Sequence, residues 1–287
     1  MNTKNLFDTK VKLTKRARAL KKGMFLQDLV RDEILERIEG VNREFKSTAV
    51  VTGFPQVWKQ ALPVATLVPD DEILRLTPHS FDLVIHALGL HHSNDPVGQV
   101  IQSRQALRPD GLFMAACFGD QNLLELRNAM AAAETELYGG LSPRVAPMAQ
   151  IRDLGSFLQR AGLALPVADA LKIPTKYNDL FHLMRDLRYM GETNIMTDRT
   201  KSFTGRSLLE CAQKKFESRY SDADGKVNCT FELIFLSGSS KSPDLYIWLL
   251  TQAKGQLTSS SDGRFYGSWI TPRELIAVQK VKIAETR

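Results

Sequence analysis

Phe81-Asp82-Leu83-Val84-Ile85-His86-Ala87-Leu88, then Asn94-Asp95-Pro96, then Ala106-Leu107-Arg108-Pro109-Asp110-Gly111, then Leu112-Phe113-Met114-Ala115-Ala116-Cys117-Phe118 is the run on which the fold turns. Its first and last segments are short, nearly continuous apolar stretches, the pattern of strands buried on both faces. Between them Asp95 is placed to cap a helix and Pro96 to occupy its first turn. Val97, Val100, Ile101, Ala106 and Leu107 then recur at helical spacing, and Pro109-Asp110-Gly111 ends the helix. Buried strand, helix, buried strand is the βαβ unit of a mostly parallel sheet covered on both sides, with a right-handed crossover.

Working outward, Leu26, Leu29, Val30, Ile34 and Ile38 predict a helix over 24–39, stopped by Gly40. Ala49-Val50-Val51 reads as a strand entering the loop Thr52-Gly53-Phe54-Pro55, and 65–68 as a second strand stopped by Pro69. After Phe118, helices are predicted over 123–137, 151–161, 178–190 and 206–220. Asp224-Gly225 then turns the chain into a strand over 229–236. The organisation expected is a basic arm and N-terminal helix over 1–46, an α/β domain over 47–238, and a weakly structured tail over 239–287. No internal repeat is present, and the only biased tract is Ser-rich, around Ser259–Ser261.

Of 287 residues, 43% are hydrophobic and 24% charged, an ordinary globular composition. No apolar run approaches the roughly 20 residues of a membrane span. The formal charge of +6 is concentrated: residues 1–22 hold Lys4, Lys10, Lys12, Lys15, Arg16, Arg18, Lys21 and Lys22 against Asp8 alone. A solvated helix face is the ordinary explanation of such a run, and nucleic-acid binding is not expected. The arm lacks the apolar core of a secretory signal, and its lysines and Asp8 fit a mitochondrial presequence poorly. Cys117, Cys211 and Cys229 share no ligand spacing, so free thiols in a cytoplasmic protein are expected, with Cys117 a small buried hydrophobe. The five histidines form no HxxxH or Cys/His pattern, and no metal is predicted.

The ordered set at 81–113, with Leu90-His91-His92 between strand and helix, resembles the fourth strand, following loop and turn into the fifth strand of type 11 class I S-adenosylmethionine-dependent methyltransferases. A narrower resemblance covers about residues 5–238. Leu6-Phe7-Asp8, Cys117-Phe118-Gly119 with Leu124-Glu125-Leu126-Arg127, Gly139-Gly140-Leu141-Ser142-Pro143, Asp153-Leu154-Gly155 and Met184-Arg185-Asp186-Leu187 with Met190-Gly191-Glu192-Thr193-Asn194 are similar to bacterial relatives of a mitochondrial complex I assembly factor. That factor has a methyltransferase fold and is described as a protein arginine hydroxylase. The methyltransferase acting on malonyl carrier protein is a more distant cousin. These resemblances imply a seven-stranded, Rossmann-like sheet with S-adenosylmethionine at the carboxyl ends of its first strands.

The cofactor half departs from that pattern. A glycine-rich loop after the first strand lets backbone approach the cofactor, but here Thr52-Gly53-Phe54-Pro55 offers one glycine beside a bulky Phe. About 30 residues separate Val51 from Phe81, where two βα units need on the order of 50. One strand–helix unit is therefore missing and the first half of the domain is shortened. Asp70 and Asp71, with Glu72, either contact adenosine or form a solvated turn capping a helix over 72–76. Candidate cofactor-binding residues are thus Thr52, Gly53, Asp70, Asp71 and Leu90.

His91 and His92 lie just past a strand's carboxyl end. Adjacent side chains diverge, so at most one faces a pocket, and His91 is the candidate catalytic proton-transfer group against a loop-packing role. His86, within the strand, reads as a satisfied core histidine. Glu125 and Arg127 read as surface or supporting groups. The loop with Pro143 and Pro147 either covers the site or simply connects. Two functions follow: methyl transfer to an unknown acceptor, or a non-methylating assembly or hydroxylase-like factor whose protein substrate is a respiratory-complex subunit.

Overall fold

The sheet extends in both directions from the predicted strand–helix–strand unit. The computed structural model describes residues 5–41 and 43–240. The expected tail therefore lies, but for its first two residues, outside the described residues. In chain order the elements are α1 (Thr9–Arg16), α2 (Phe25–Glu39), β1 (Thr48–Thr52), α3 (Pro55–Lys59), β2 (Thr66–Val68), β3 (Phe81–Ala87), α4 (Pro96–Ala106), β4 (Leu107–Phe118), α5 (Leu124–Tyr138), α6 (Ile151–Arg160), β5 (Ala164–Tyr177), α7 (Leu180–Met190), α8 (Arg206–Tyr220) and β6 (Val227–Ser239).

The strand order is β2-β1-β3-β4-β6-β5. β2, β1, β3 and β4 are mutually parallel. β6 runs antiparallel to β4 and to the edge strand β5. This is a mostly parallel, Rossmann-like sheet. It has six strands among the described residues, one fewer than the resemblance implies. The shortfall is in the first half: α3 has five residues, β2 has three, and no helix joins β2 to β3.

Alternation along the strands divides the core between two faces. Val50, Leu83, Ile85, Met114, Leu233 and Phe235 pack toward α2, α3, α5, α7 and α8. Ala49, Val84, Phe113, Ala115, Ile234 and Leu236 pack toward α4 and α6. All seven residues of β3 are buried, as its unbroken apolar run requires. Cys117 is fully buried in the second face, and burial pushes its thiol up to about 12.

Three elements differ from expectation. β5 is a 14-residue strand where none is predicted. Its Pro166 and Pro174 demote the segment on sequence, and an edge position tolerates them because one side of the strand needs no ladder partner. β4 begins at Leu107 rather than after Gly111, with Asp110 at φ +62 and a register shift opposite Phe81–Leu83. The helix over 72–76 does not form. Side chains of α4 satisfy that backbone instead: Leu74 N–H donates to Gln102 Oε1 at 2.7 Å, while Gln102 Nε2 donates to the Glu72 carbonyl at 3.0 Å.

Candidate functional site

In the order β2-β1-β3 the chain leaves β1 to one side and returns on the other. The carboxyl ends of β1 and β3 therefore bound the crevice where doubly wound sheets bind ligands. Thr52-Gly53-Phe54, Asp70 and Leu88-Gly89 line it. Thr52 is buried and turns its Oγ1 to accept from Phe54 N at 3.0 Å.

Helix α1 fills this crevice. Asp8 caps the helix by accepting from Val11 N–H at 3.1 Å. Lys12 and Arg16 lie four apart, on one helix face, and both side chains leave solvent, with relative exposures of 6% and 5%. Arg16 Nη1 donates to both carboxylate oxygens of Asp70 at 2.6 and 2.7 Å. Its Nη2 donates to the Leu88 carbonyl at 3.3 Å, and the guanidinium stands 5.5 Å from the Phe54 ring centre. Lys12 Nζ donates to the Asp70 carbonyl at 2.9 Å and to its carboxylate at 3.3 Å. Burial works against these charges, and pairing outweighs it. Arg16 and Lys12 hold Asp70 below the usual carboxylate range, and Asp70 holds Arg16 above its ordinary value.

Gly53 makes this packing possible. A β-carbon there would overlap the Arg16 guanidinium. The two cations expected on a solvated face thus form part of the interior.

S-adenosylmethionine, the cofactor the resemblance implies, does not fit the crevice in this arrangement. The backbone cradle at Gly53 already holds a guanidinium, and the carboxylate of Asp70 is committed to Arg16 and Lys12. The remaining predicted cofactor residues lie elsewhere. Leu90 is buried in the apolar cluster beneath α4 and α6. Asp71 presents its carbonyl to Gln99 Nε2 at 2.7 Å.

His86 is buried in the core as anticipated, but only one of its two ring nitrogens is satisfied, since the buried Nδ1 has no hydrogen-bond partner. Its Nε2 lies 3.0 Å from Gln99 Oε1, and burial lowers its pKa to about 4 despite the nearby Asp70 carboxylate.

A second cluster lies beside the crevice. A 3-10 turn over Leu90–His92 brings the two adjacent imidazoles to a centroid separation of 4.2 Å. Both meet Glu192, which follows the left-handed Gly191 at the end of α7 (φ +77). His91 Nε2 and His92 Nδ1 each lie 3.4 Å from Glu192 Oε2. Phe118 stacks edge-on to His91 at 4.7 Å and Phe7 to His92 at 5.5 Å. Burial drives His92 well below the ordinary histidine value. It also opposes ionisation of Glu192, but His92, His91 and Arg16 together pull that carboxyl below its usual range.

The cluster borders a cavity of about 270 Å³ lined by His92, Phe118, Leu126, Arg144, Met184 and Glu192, among others. His92 lines it and His91 does not, reversing the preference expected from sequence. Arg144, Val145, Ala146 and Met148 cover one side of the cavity, so the loop with Pro143 and Pro147 is its wall. Glu125 lies outside the cluster and accepts from Thr230 Oγ1 at 2.8 Å. Glu192 is a site residue that sequence reading missed, since it stands 101 positions from His91. Its place in the segment Met190–Asn194 quoted for the family resemblance was the one available signal.

No family model matches the chain. It is 33% identical over 200 residues to the mitochondrial arginine-hydroxylase NDUFAF5 of Homo sapiens, covering 70% of this chain and 58% of that one. It is 36% identical over 177 residues to the same protein of Rattus norvegicus, covering 62% and 51%. It is 32% identical over 173 residues to the malonyl-[acyl-carrier protein] O-methyltransferase of Xylella fastidiosa, covering 60% and 56%. These are the two groups of relatives that the sequence motifs resemble. The chain spans between half and three-fifths of the length of these relatives. Among solved structures, the YcgJ protein of Bacillus subtilis aligns at TM-score 0.47 and 12% identity, covering 72% of this chain and 97% of that one.

Proposed function

We propose that this chain is a methyltransferase-fold protein that does not transfer methyl groups. It serves instead as an assembly or protein-modifying factor, hydroxylase-like, for a subunit of respiratory complex I. The observation that carries this reading is Arg16 seated on Gly53 and paired with Asp70 in the crevice where the cofactor of such a fold would lie. A methyl-transfer site must align an acceptor with the sulfonium methyl, and a crevice filled by the chain's own cation offers no place for the donor. Similarity to the arginine-hydroxylase relatives at 33–36% identity supports the complex I context. The missing βα unit supports loss of cofactor binding.

No helix among the described residues is long and apolar enough to cross a membrane. With three free cysteines, the chain suits a cytoplasmic factor meeting its protein substrate before or during assembly.

Calorimetric titration of the purified chain with S-adenosylmethionine tests the first half of the proposal. No saturable heat and no thermal shift at millimolar ligand is expected, whereas stoichiometric binding would overturn it. Deleting the gene tests the second half. Membrane NADH dehydrogenase activity should fall, and unchanged activity with normal complex assembly would remove the respiratory role.

A further inference from the structure

We propose that His91, His92 and Glu192 form a binding site for one divalent transition-metal ion, open on one side to the neighbouring cavity. The site stands apart from the function proposed above, because an ion here is compatible with either an assembly or a modifying role.

The ligand chemistry is that of such a site. Two imidazoles and one carboxylate suit Zn²⁺, Fe²⁺ or Co²⁺, and a three-residue set leaves coordination positions for water or substrate. One ligand atom from each residue lies within 4.8 Å of the others. Bonds of about 2.1 Å at octahedral or tetrahedral angles place ligand atoms roughly 3.0–3.4 Å apart. The two contacts to Glu192 Oε2, both at 3.4 Å, match that separation.

The same contacts are poor as hydrogen bonds. A charge-assisted N–H···O bond closes to about 2.7–2.9 Å. His92 Nδ1 and Glu192 Oε1 have no hydrogen-bond partner although both atoms are buried. The three side chains are 1%, 7% and 8% exposed. Leaving buried polar atoms unpaired is costly. An ion bound between the rings and the carboxylate would satisfy His92 Nδ1 and the carboxylate together.

Access and charge agree with this assignment. His92 and Glu192 line the cavity, so an ion between them has its open positions there. Lys12, Arg16 and Asp70 leave one unbalanced positive charge nearby, which Glu192 offsets when no ion is bound. With a divalent ion in place the site becomes cationic, and Arg188 also lines the cavity, whereas the Arg144 guanidinium there is paired with Glu134. The ligand favoured at an open position is therefore an anionic or oxygen-donor group.

The test uses tag-free, chelator-treated protein titrated with Co²⁺ and with Zn²⁺ alone. One equivalent of Co²⁺ should bind and develop visible ligand-field absorption, and one equivalent of Zn²⁺ should displace it. Glu192→Gln and His92→Ala should each weaken Zn²⁺ binding at least tenfold, while His182→Gln, remote from the cluster, should leave it unchanged. Circular dichroism identifies folded variants, and His91→Gln substitutes for either one that fails to fold. No stoichiometric Co²⁺ binding by the unaltered chain would overturn the proposal. So would equal affinity in a folded variant of the cluster, which would place the ion elsewhere.

Discussion

Replacing Asp70 with Asn leaves two buried cations facing a neutral amide. Asp70 accepts from Arg16 at 2.6 and 2.7 Å and from Lys12 at 3.3 Å, with all three side chains at most 6% exposed. Removing one partner of a buried pair costs about 3–5 kcal/mol, chiefly because the charge left behind is still desolvated. For a domain of this size that is a fall in Tm of roughly 6–20 °C. Equilibrium urea unfolding of Asp70→Asn against the unaltered chain measures it directly. The difference should also depend on pH. The folded-state pKa of Asp70 is lowered, so its contribution is complete above the ordinary carboxylate value and fades as pH falls through the depressed one. Converting Lys12 and Arg16 to Met and Asp70 to Leu together should recover most of the loss, because a packed apolar replacement removes the desolvation cost with the charges. A loss below about 1 kcal/mol for Asp70→Asn, the range of an exposed ion pair, would refute the buried position of α1.

Gly53→Ala should cost about 1–3 kcal/mol by pressing a methyl group into the Arg16 guanidinium. The cost should largely vanish in an Arg16→Ala background, and additive losses in denaturation would contradict the contact. His86 is lowered to about 4 by burial, so the unfolded chain takes up its proton first. Stability from His86 is full above about pH 6.5 and declines by roughly 3 kcal/mol as pH falls toward 4. His86→Gln should flatten that decline, and an unchanged acid slope would exclude His86 as its source. Burial raises the thiols of Cys117 and Cys229 to about 12, while Cys211 is partly exposed. A disulfide reagent should therefore titrate one thiol rapidly in the native chain and three after denaturation. Rapid reaction of all three without denaturant would argue against this core.

The strand–helix–strand unit at 81–118 is legible because each of its strands is apolar without interruption and its helix carries both a cap and a stop. The shortened first half is legible from spacing alone. β5 is hidden by Pro166 and Pro174, which local pattern cannot distinguish from loop residues until the strand is known to lie at an edge. α1 is hidden for a different reason. A Lys/Arg run ordinarily stays in water, and nothing local in Lys12 and Arg16 announces an acid 58 and 54 positions away. The site divides in the same way. Gly53 and Asp70 are recognisable as crevice residues from their places after strands, but what occupies the crevice is not. The His91-His92 pair is visible, whereas its partner Glu192 emerges only when the end of α7 is brought against the Leu90–His92 turn.

The segment that fills the crevice is attached to parts of the chain made much later. Phe7 bridges to Met196, and Lys15 Nζ donates to the Asn194 carbonyl 179 positions away. At a synthesis rate of roughly 5–20 residues per second, α1 waits about 9–36 s for those partners. During that interval Lys12 and Arg16 have Asp70 available but lack the 190s segment that holds the helix down. Contacts of such long sequence separation form slowly. Helix α1 is therefore locked only after much of the chain that follows it has been made, and a chain halted before residue 194 would present an open crevice with an unsecured basic helix at its mouth.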